Sequence, residues 1–320
     1  MLRPGRRKAA KIDQLAELAK ADDVPGVSLW RDASRRLRRN PAAIAGAVIV
    51  VAFVVLAVVG PFLVPHDPLS QAWRGEISEA RGIFPGPRAE NWLGVDHLGR
   101  DEFSRLIVGA RQTLLVGVVS TLLGLVVGVL VGGVAGAAAG IGGRAGRWVD
   151  AVLMRIVDML LAMPSLLLAV SVAALLGQSL ATVMIAIGVV SVPIFARLLR
   201  GAMLAQAGSE YVTAATALGV SKWRIAWSHL LPNSIGPVLV QTTLTLATAI
   251  IEAAALSFLG LGNADAAIPE WGVMLADAQR YLSVNPEWAI YPSVGIIVIA
   301  LGFTLLGESM REALDPKLRR

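Results

Sequence analysis

Glu210–Asn233, EYVTAATALGVSKWRIAWSHLLPN, is the longest polar interruption in the strongly apolar second half of the chain. Its punctuation predicts two short helices and a corner. Ser209 stands at an N-cap position, Glu210 puts an anion in the positive first turn, and Gly219 falls where a helix ends on a left-handed residue. Ser221 is placed to cap the second helix, which is expected to stop before Pro232, since the residue before a proline is pushed out of the α region. Tyr211, Ala214, Ala215 and Leu218 share one helical face, and Trp223, Ala226, Trp227 and Leu230 share another. Both helices are too short to cross a bilayer. Taken alone, the stretch also fits an ordinary amphipathic hairpin between two spans.

The composition around it is that of an integral membrane protein. The 320 residues are 55% hydrophobic and 16% charged, with a mean hydropathy of +0.65. The formal net charge of +6 invites a nucleic-acid reading, but the basic residues sit in the head, the tail and the loops between apolar runs, which is the positive-inside arrangement. No nucleic-acid partner is expected. The absence of cysteine excludes disulfides, thiolate metal sites and cysteine nucleophiles.

Residues 1–40 carry eleven Lys and Arg, ending in Arg35, Arg36, Arg38 and Arg39, and form a basic cytoplasmic segment. The uncharged run Pro41–Pro65, 25 residues long, exceeds a signal-peptide core and reads as the first span. Between His66 and Arg111 acidic and basic residues balance, as in an external loop. His66, Asp96, His97 and Asp101 lie there and are expected to stay solvated rather than hold a metal. Gln112–Gly143 is free of charge for 32 residues, with the small-residue run Gly132, Gly133, Gly136 and Ala137 allowing close helix contact, either within the chain or in a homodimer.

After Arg144 and Arg147, Arg155 and Asp158 are three residues apart and placed to pair, with a proton relay as the other reading. The uncharged run Met159–Ala196 divides at Gly177, Gln178 and Ser179 into spans three and four. Arg197 and Arg200 hold the end of span four inside, which places the hairpin in the cytoplasm. Span five, about Ser234–Leu261, contains a single ionisable residue, Glu252, which serves either the pathway and its gating or a structural hydrogen bond. PEWGVMLADAQRYL then reads as one amphipathic helix outside the membrane, either a working part of the outer loop or an interfacial helix anchored by Trp271 and Tyr281 that needs no substrate. Span six is Trp288–Gly307, followed by a basic tail. The expected fold is all-α and polytopic, with six transmembrane helices and both termini cytoplasmic. Its parts are the basic head at 1–40, the first span with its external loop at 41–111, a core of spans two to six at 112–309 that includes the hairpin 209–233, and the tail at 310–320.

Glu210, Ala214, Ala215, Gly219, Leu231 and Pro232 together resemble the EAA loop of ABC importer permeases. RRLRRNPAAIAGAVIVV leading to LVPHDPLS, then NWLGVDHLGRDEFSRLIVGARQTLLVG, DAVLMRIVDMLLAMP, EAAALSFLGLG and the tail GESMREALDPKLRR follow in the order of the dipeptide/oligopeptide/nickel permeases. The chain is identified as a member of that family, of its second, C-type subunit, with resemblance from about Arg35 to Leu318. Lys222 and Trp223 depart from the pattern. The resemblance implies a type I ABC importer permease of the bacterial inner membrane that couples to ATPase subunits through Glu210, Tyr211, Ala214, Ala215, Leu218, Gly219, Val220, Ser221, Arg224, His229, Leu231 and Pro232. It implies as partners a homologous permease, two ATPases that bind ATP and Mg, an extracytoplasmic solute-binding lipoprotein and membrane lipid, with no cofactor in this subunit. Di- or oligopeptides are the expected cargo. No GxxxxGK[ST] phosphate loop occurs, so ATP hydrolysis is not expected of this chain. An ATPase-independent transporter or channel, which would show broken polar helices at mid-membrane, and a membrane scaffold are the competing classes.

Overall fold

A computed structural model describes residues 29–78, 82–262 and 268–314. The expectations for residues 1–28 and for the last six residues lie outside the described part. Helix α1 (Leu29–Leu37) leads into α2 (Pro41–Val59). Asn40 sets the start of α2 by accepting from the backbone N–H groups of Ala42 and Ala43 at 2.9 and 3.4 Å, and Pro41 occupies the first turn, where its missing donor costs nothing. Asn40 Nδ2 also reaches Glu312 Oε2 at 3.5 Å, so the start of the first span and the end of the last lie at one end of the molecule.

Helix α3 (Glu102–Ile141) is 40 residues long, about 60 Å at ~1.5 Å per residue. It packs along α6 (Leu180–Ala207) through glycines repeated at every fourth residue. A Cβ at Gly124 would lie 2.5 Å from that of Ser191, and one at Gly128 2.5 Å from that of Phe195. Gly132 and Gly136 make the same contact, a Cβ there falling against the Ala196 carbonyl oxygen and 2.9 Å from Met203 Cβ, so this side of the small-residue run is filled by α6 and not by a second copy of the chain.

The third span departs from expectation. In place of one straight helix, α4 (Gly143–Leu161) and α5 (Ser165–Leu176) meet at a 94° bend. Pro164 removes a donor and disfavours helical geometry at Met163, and nothing on either side restores the ladder. Asp150 and Asp158 hold α4 against α6, the first by accepting from Arg200 Nη2 at 2.7 Å, the second by pairing with Arg197. Asp158 thus pairs across helices rather than with Arg155. Its 12 residues give α5 a rise of about 18 Å, roughly half a bilayer. Among the described residues five helices are long and apolar enough to cross a membrane, and six spans result if the bent pair counts as one.

The second helix of the hairpin does not stop before Pro232. Lys222–Phe258 is one helical run comprising α7's successor α8 (Lys222–Ile225), a π-turn at Ala226–Leu230 and α9 (Leu231–Phe258), with α7 being Glu210–Ala217. The Leu231 N–H bonds to the Ala226 carbonyl, five residues back. This wider turn shifts the ladder so that Pro232, which has no N–H, sits where the helix is already open.

Outside, α10 (Trp271–Ala278) is shorter than predicted and passes into a 3-10 turn, Gln279–Tyr281. Trp271 is buried, not an interfacial anchor: its ring lies 5.3 Å from that of Phe53 and its Nε1 donates to the Leu106 carbonyl at 2.9 Å. Glycines make the room, since a Cβ at Gly295 would fall 2.7 Å from Trp271. Helix α11 (Glu287–Leu314) closes the bundle against α2 and α9.

Candidate coupling hairpin and membrane-embedded polar face

Gly219 adopts φ +76° and closes α7 with two bonds, from its own N–H to the Thr216 carbonyl at 3.0 Å and from the Val220 N–H to the Ala215 carbonyl at 3.1 Å. This is the Schellman pattern, with Val220 and Ala215 packed together beneath it. Ser221 caps α8 as expected, accepting from the Arg224 N–H at 3.4 Å. Ser209 occupies the N-cap position of α7 but turns its hydroxyl back to donate to the Gln206 carbonyl at 2.6 Å, so the predicted side-chain cap is not made.

The predicted apolar faces divide. Ala215, Ala226 and Leu230 are buried, joined by Val212 and Ile225, which the periodicity did not single out. Ala214 and Tyr211 are exposed, and Leu218 (83%) and Trp223 (73%) project almost fully, with Trp227 beside them. Glu210, Gly219, Ser221, Arg224 and Pro232 lie on this open side, and Val220, His229 and Leu231 are half-buried. The hairpin therefore stands on Val212, Ala215, Ile225 and Leu230 and offers a mixed apolar and polar ridge. Through the unbroken run from Lys222 to Phe258 it is rigidly continuous with a span.

The external loop is not the solvated segment expected of it. Asp96 and Asp101 are buried together with Arg100, Glu102 and Arg105. Asp96 accepts from Arg100 Nε at 2.6 Å and from the N–H groups of Leu98 and Arg100 at 2.9 Å, and lies 3.4 Å from Arg105 Nε. Asp101 caps α3 by accepting from the Ser104 N–H at 2.9 Å and holds Asn91 Nδ2 at 2.9 Å. Burial lowers the pKa of His97, whose ring stacks on Tyr281. Carboxylates become buried here because guanidinium groups and backbone donors replace their water. Among the described residues no three His, Asp or Glu side chains converge as a metal ion would require.

Glu270, at the N-cap of α10, is buried and receives the Ser257 hydroxyl at 2.9 Å. Burial raises its pKa from 4.5 to about 7, against the opposing pull of that hydrogen bond. The folded chain therefore holds a proton that the unfolded chain has already lost between pH 4.5 and about 7, and stability falls as pH rises through that window and is level above it. Glu270→Gln removes the dependence. It is expected to raise stability above pH 7 by about 3 kcal/mol, seen as a higher thermal midpoint in detergent at pH 8 and a smaller difference between pH 5 and pH 8.

Glu252 is half-buried on α9, within hydrogen-bonding reach of Ser165 at the start of α5. Thr248, Thr245 and Gln241 share its face, at one, two and three helical turns' distance; Thr248 is exposed, Gln241 is half-buried, and Thr245 between them is buried and accepts from Gln241 Nε2 at 3.3 Å. All of residues 162–167, across the α4–α5 bend, are exposed. In the sequence Glu252 stands out but the polar residues on its face do not, because single Gln and Thr residues within an apolar run carry no period of their own.

Apolar helices of bilayer length, a rigid ridge continuous with one of them and a polar face at membrane depth define a multi-pass permease subunit. Residues 128–320 match the family described as binding-protein-dependent transport system inner membrane component, and residues 28–80 match the N-terminal TM domain of oligopeptide transport permease C. The dipeptide transport system permease protein DppC of Alkalihalophilus pseudofirmus is 41% identical over 298 residues, 93% of either chain. The glutathione transport system permease protein GsiD of Pectobacterium atrosepticum is 38% identical over 318 residues, 99% of this chain and 100% of that one. In fold, the chain is similar to the MetNI methionine ABC transporter in its inward-facing conformations, with TM-score 0.54 and 22% identity over 66% of this chain and 96% of the other. The chain belongs to the ABC importer permeases of the dipeptide/oligopeptide family, and is a multi-pass protein of the bacterial inner membrane.

Proposed function

We propose that this subunit forms half of the translocation pathway of an ATP-driven importer of di- or oligopeptides. A homologous permease forms the other half, two ATPase subunits dock beneath, and a solute-binding lipoprotein delivers cargo from outside. Both termini and the hairpin face the cytoplasm, in keeping with Arg35, Arg36, Arg144, Arg147, Arg197 and Arg200 at that end. The chain itself hydrolyses nothing; ATP and Mg belong to the partner ATPases. The supporting observation is the hairpin, whose exposed Ala214 and Leu218, with Tyr211 held beside them by donating to Gln206 Oε1 at 3.0 Å, form a ridge that leads through the Gly219 corner into the unbroken helical run of span five. Closure of the ATPases pushes on this ridge, and the spans rock as rigid bodies.

The broken third span with a carboxylate beside it is a feature that a self-contained transporter would share. Co-purification separates the two readings: the importer retains ATPase subunits through detergent extraction, and a self-contained transporter does not. Glu210→Lys puts a cation in the positive first turn of α7 and opposes its dipole. It is expected to reduce the ATPase retained several-fold with insertion unchanged, and unchanged retention counts against the hairpin as the docking site.

A further inference from the structure

Glu252 sits within span five, and among the described residues no ion pair reaches it. Gln178 Nε2 donates to the Gly260 carbonyl at 2.8 Å, which fixes the outer turns after α5 and α9 at one level. Glu252 lies eight residues before Gly260, about 12 Å deeper, and Ser165 lies twelve residues before Gly177, about 18 Å deeper. Carboxylate and hydroxyl therefore meet near the middle of a hydrocarbon layer about 30 Å thick. Neither α5 nor α9 contains a basic residue. A carboxylate at that depth costs a few kcal/mol unless it faces water or a cation. The Glu252 face is also the polar one: Gln241, Thr245, Thr248 and Glu252 lie along it over about 16 Å, with Thr245 buried and accepting from Gln241 Nε2 at 3.3 Å, and the exposed bend at residues 162–167 lies next to its outer end.

We infer that this stripe lines the substrate pathway and that Glu252 receives the cationic α-amino group of the transported peptide. The inference rests on the importer reading above. An α-ammonium is the one charge every unblocked peptide carries at its first residue, so a single carboxylate among Ala, Leu and Ile neighbours takes peptides of any side chain. The Thr248 hydroxyl and the Gln241 amide each donate to Thr245, at 3.0 and 3.3 Å, which leaves Thr248 Oγ1 and Gln241 Oε1 as acceptors for peptide N–H groups along the stripe. The missing cation is thus the cargo, and the cost of the buried charge is lowered only while a peptide passes.

The chain has no cysteine, which makes the site directly testable. Glu252→Cys is assembled with the partner subunits in proteoliposomes, and ATP-driven uptake of trialanine is followed. Uptake is expected to fall at least tenfold, with the subunits still co-purifying. Treatment with 2-sulfonatoethyl methanethiosulfonate, which restores a negative charge, is expected to recover at least threefold of it. The trimethylammonium reagent of similar size is expected to recover none, and trialanine to slow modification by either. An unreactive cysteine, or equal effects of the two reagents, overturns the proposal. Glu252→Asp and Glu252→Asn provide a second arm, since they share any packing cost and differ in charge; equal uptake by the two also overturns it. Uptake by the unaltered assembly that needs no ATP would instead overturn the importer reading, and the reagent pattern would still decide the role of Glu252.

Discussion

Gly219→Val is expected to abolish ATP-driven uptake, lowering it at least tenfold, while the subunit still inserts and its spans stay folded. At φ +76° any L residue is strained, and a β-branched one most of all, by about 1–3 kcal/mol. Nothing lies within 4 Å of where a Cβ would be built at this position, so the penalty is conformational and not steric. To escape it, the corner must give up the bonds from Gly219 to Thr216 and from Val220 to Ala215, and α7 then frays from its C-terminus. Fraying disconnects the Tyr211, Ala214 and Leu218 ridge from Ala215 and Val212, the two residues that seat it on the bundle. Since about 1.4 kcal/mol is a tenfold change in population, the strain is large enough to leave the hairpin mostly misshapen. Gly219→Asn separates this account from one based on space: asparagine tolerates the left-handed region, and uptake is expected to stay within about threefold of normal. Vesicle uptake measured beside ATPase activity gives the result, and normal uptake by the valine variant would refute the coupling role.

The hairpin was legible in the sequence because its determinants are local. A glycine at a C′ position and a serine three residues before a backbone donor act over one turn, and no distant residue is needed to read them. The orientation of the hairpin was less legible. Periodicity found Tyr211, Ala214, Ala215 and Leu218 on one face, but only Ala215 turns inward, because the bundle accepts Val212 beside it and leaves Leu218 outside. An amphipathic pattern does not say which partner covers a face. The bend at Pro164 was missed for a different reason. Length and absence of charge define a span only if it is straight, whereas here one proline and two interhelical ion pairs, Asp150 with Arg200 and Asp158 with Arg197, turn α4 aside. Pro232 erred in the opposite sense, since the π-turn before it lets the helix run on. Trp271 was misplaced because its pocket is built from Phe53, Leu106, Gly109 and Gly295, none of them near it in the chain.

The external loop gives the second large effect, and it follows from the same limit of sequence reading. Balanced charges there read as solvated, yet Asp96, Arg100 and Arg105 are 5%, 2% and 1% exposed. Asp96 is the anion shared by both guanidinium groups, and it also accepts two backbone N–H bonds. Asp277, on the returning α10, lies 3.9 Å from Arg100 Nη2 and pairs with the outer side of that guanidinium, whereas Asp96 lies 2.6 Å from Arg100 Nε and 3.4 Å from Arg105 Nε. Asp96→Asn keeps the volume and removes the charge, so the two buried guanidinium groups lose the anion that they share. The expected loss is about 3–5 kcal/mol, as for one partner taken from a buried pair. It should appear as a much lower thermal midpoint in detergent and as loss of the folded subunit from membranes at growth temperature. By contrast, Glu76→Gln, which breaks the fully solvated pair with Arg88, should leave the midpoint unchanged. Pairing Asp96→Asn with Arg100→Gln is expected to recover part of the loss, because the second change removes one of the two cations that the shared carboxylate balanced. A double variant that loses the sum of the two single effects would show that the carboxylate acts through its backbone bonds, as a turn former, and not as the counter-ion of the buried guanidinium groups.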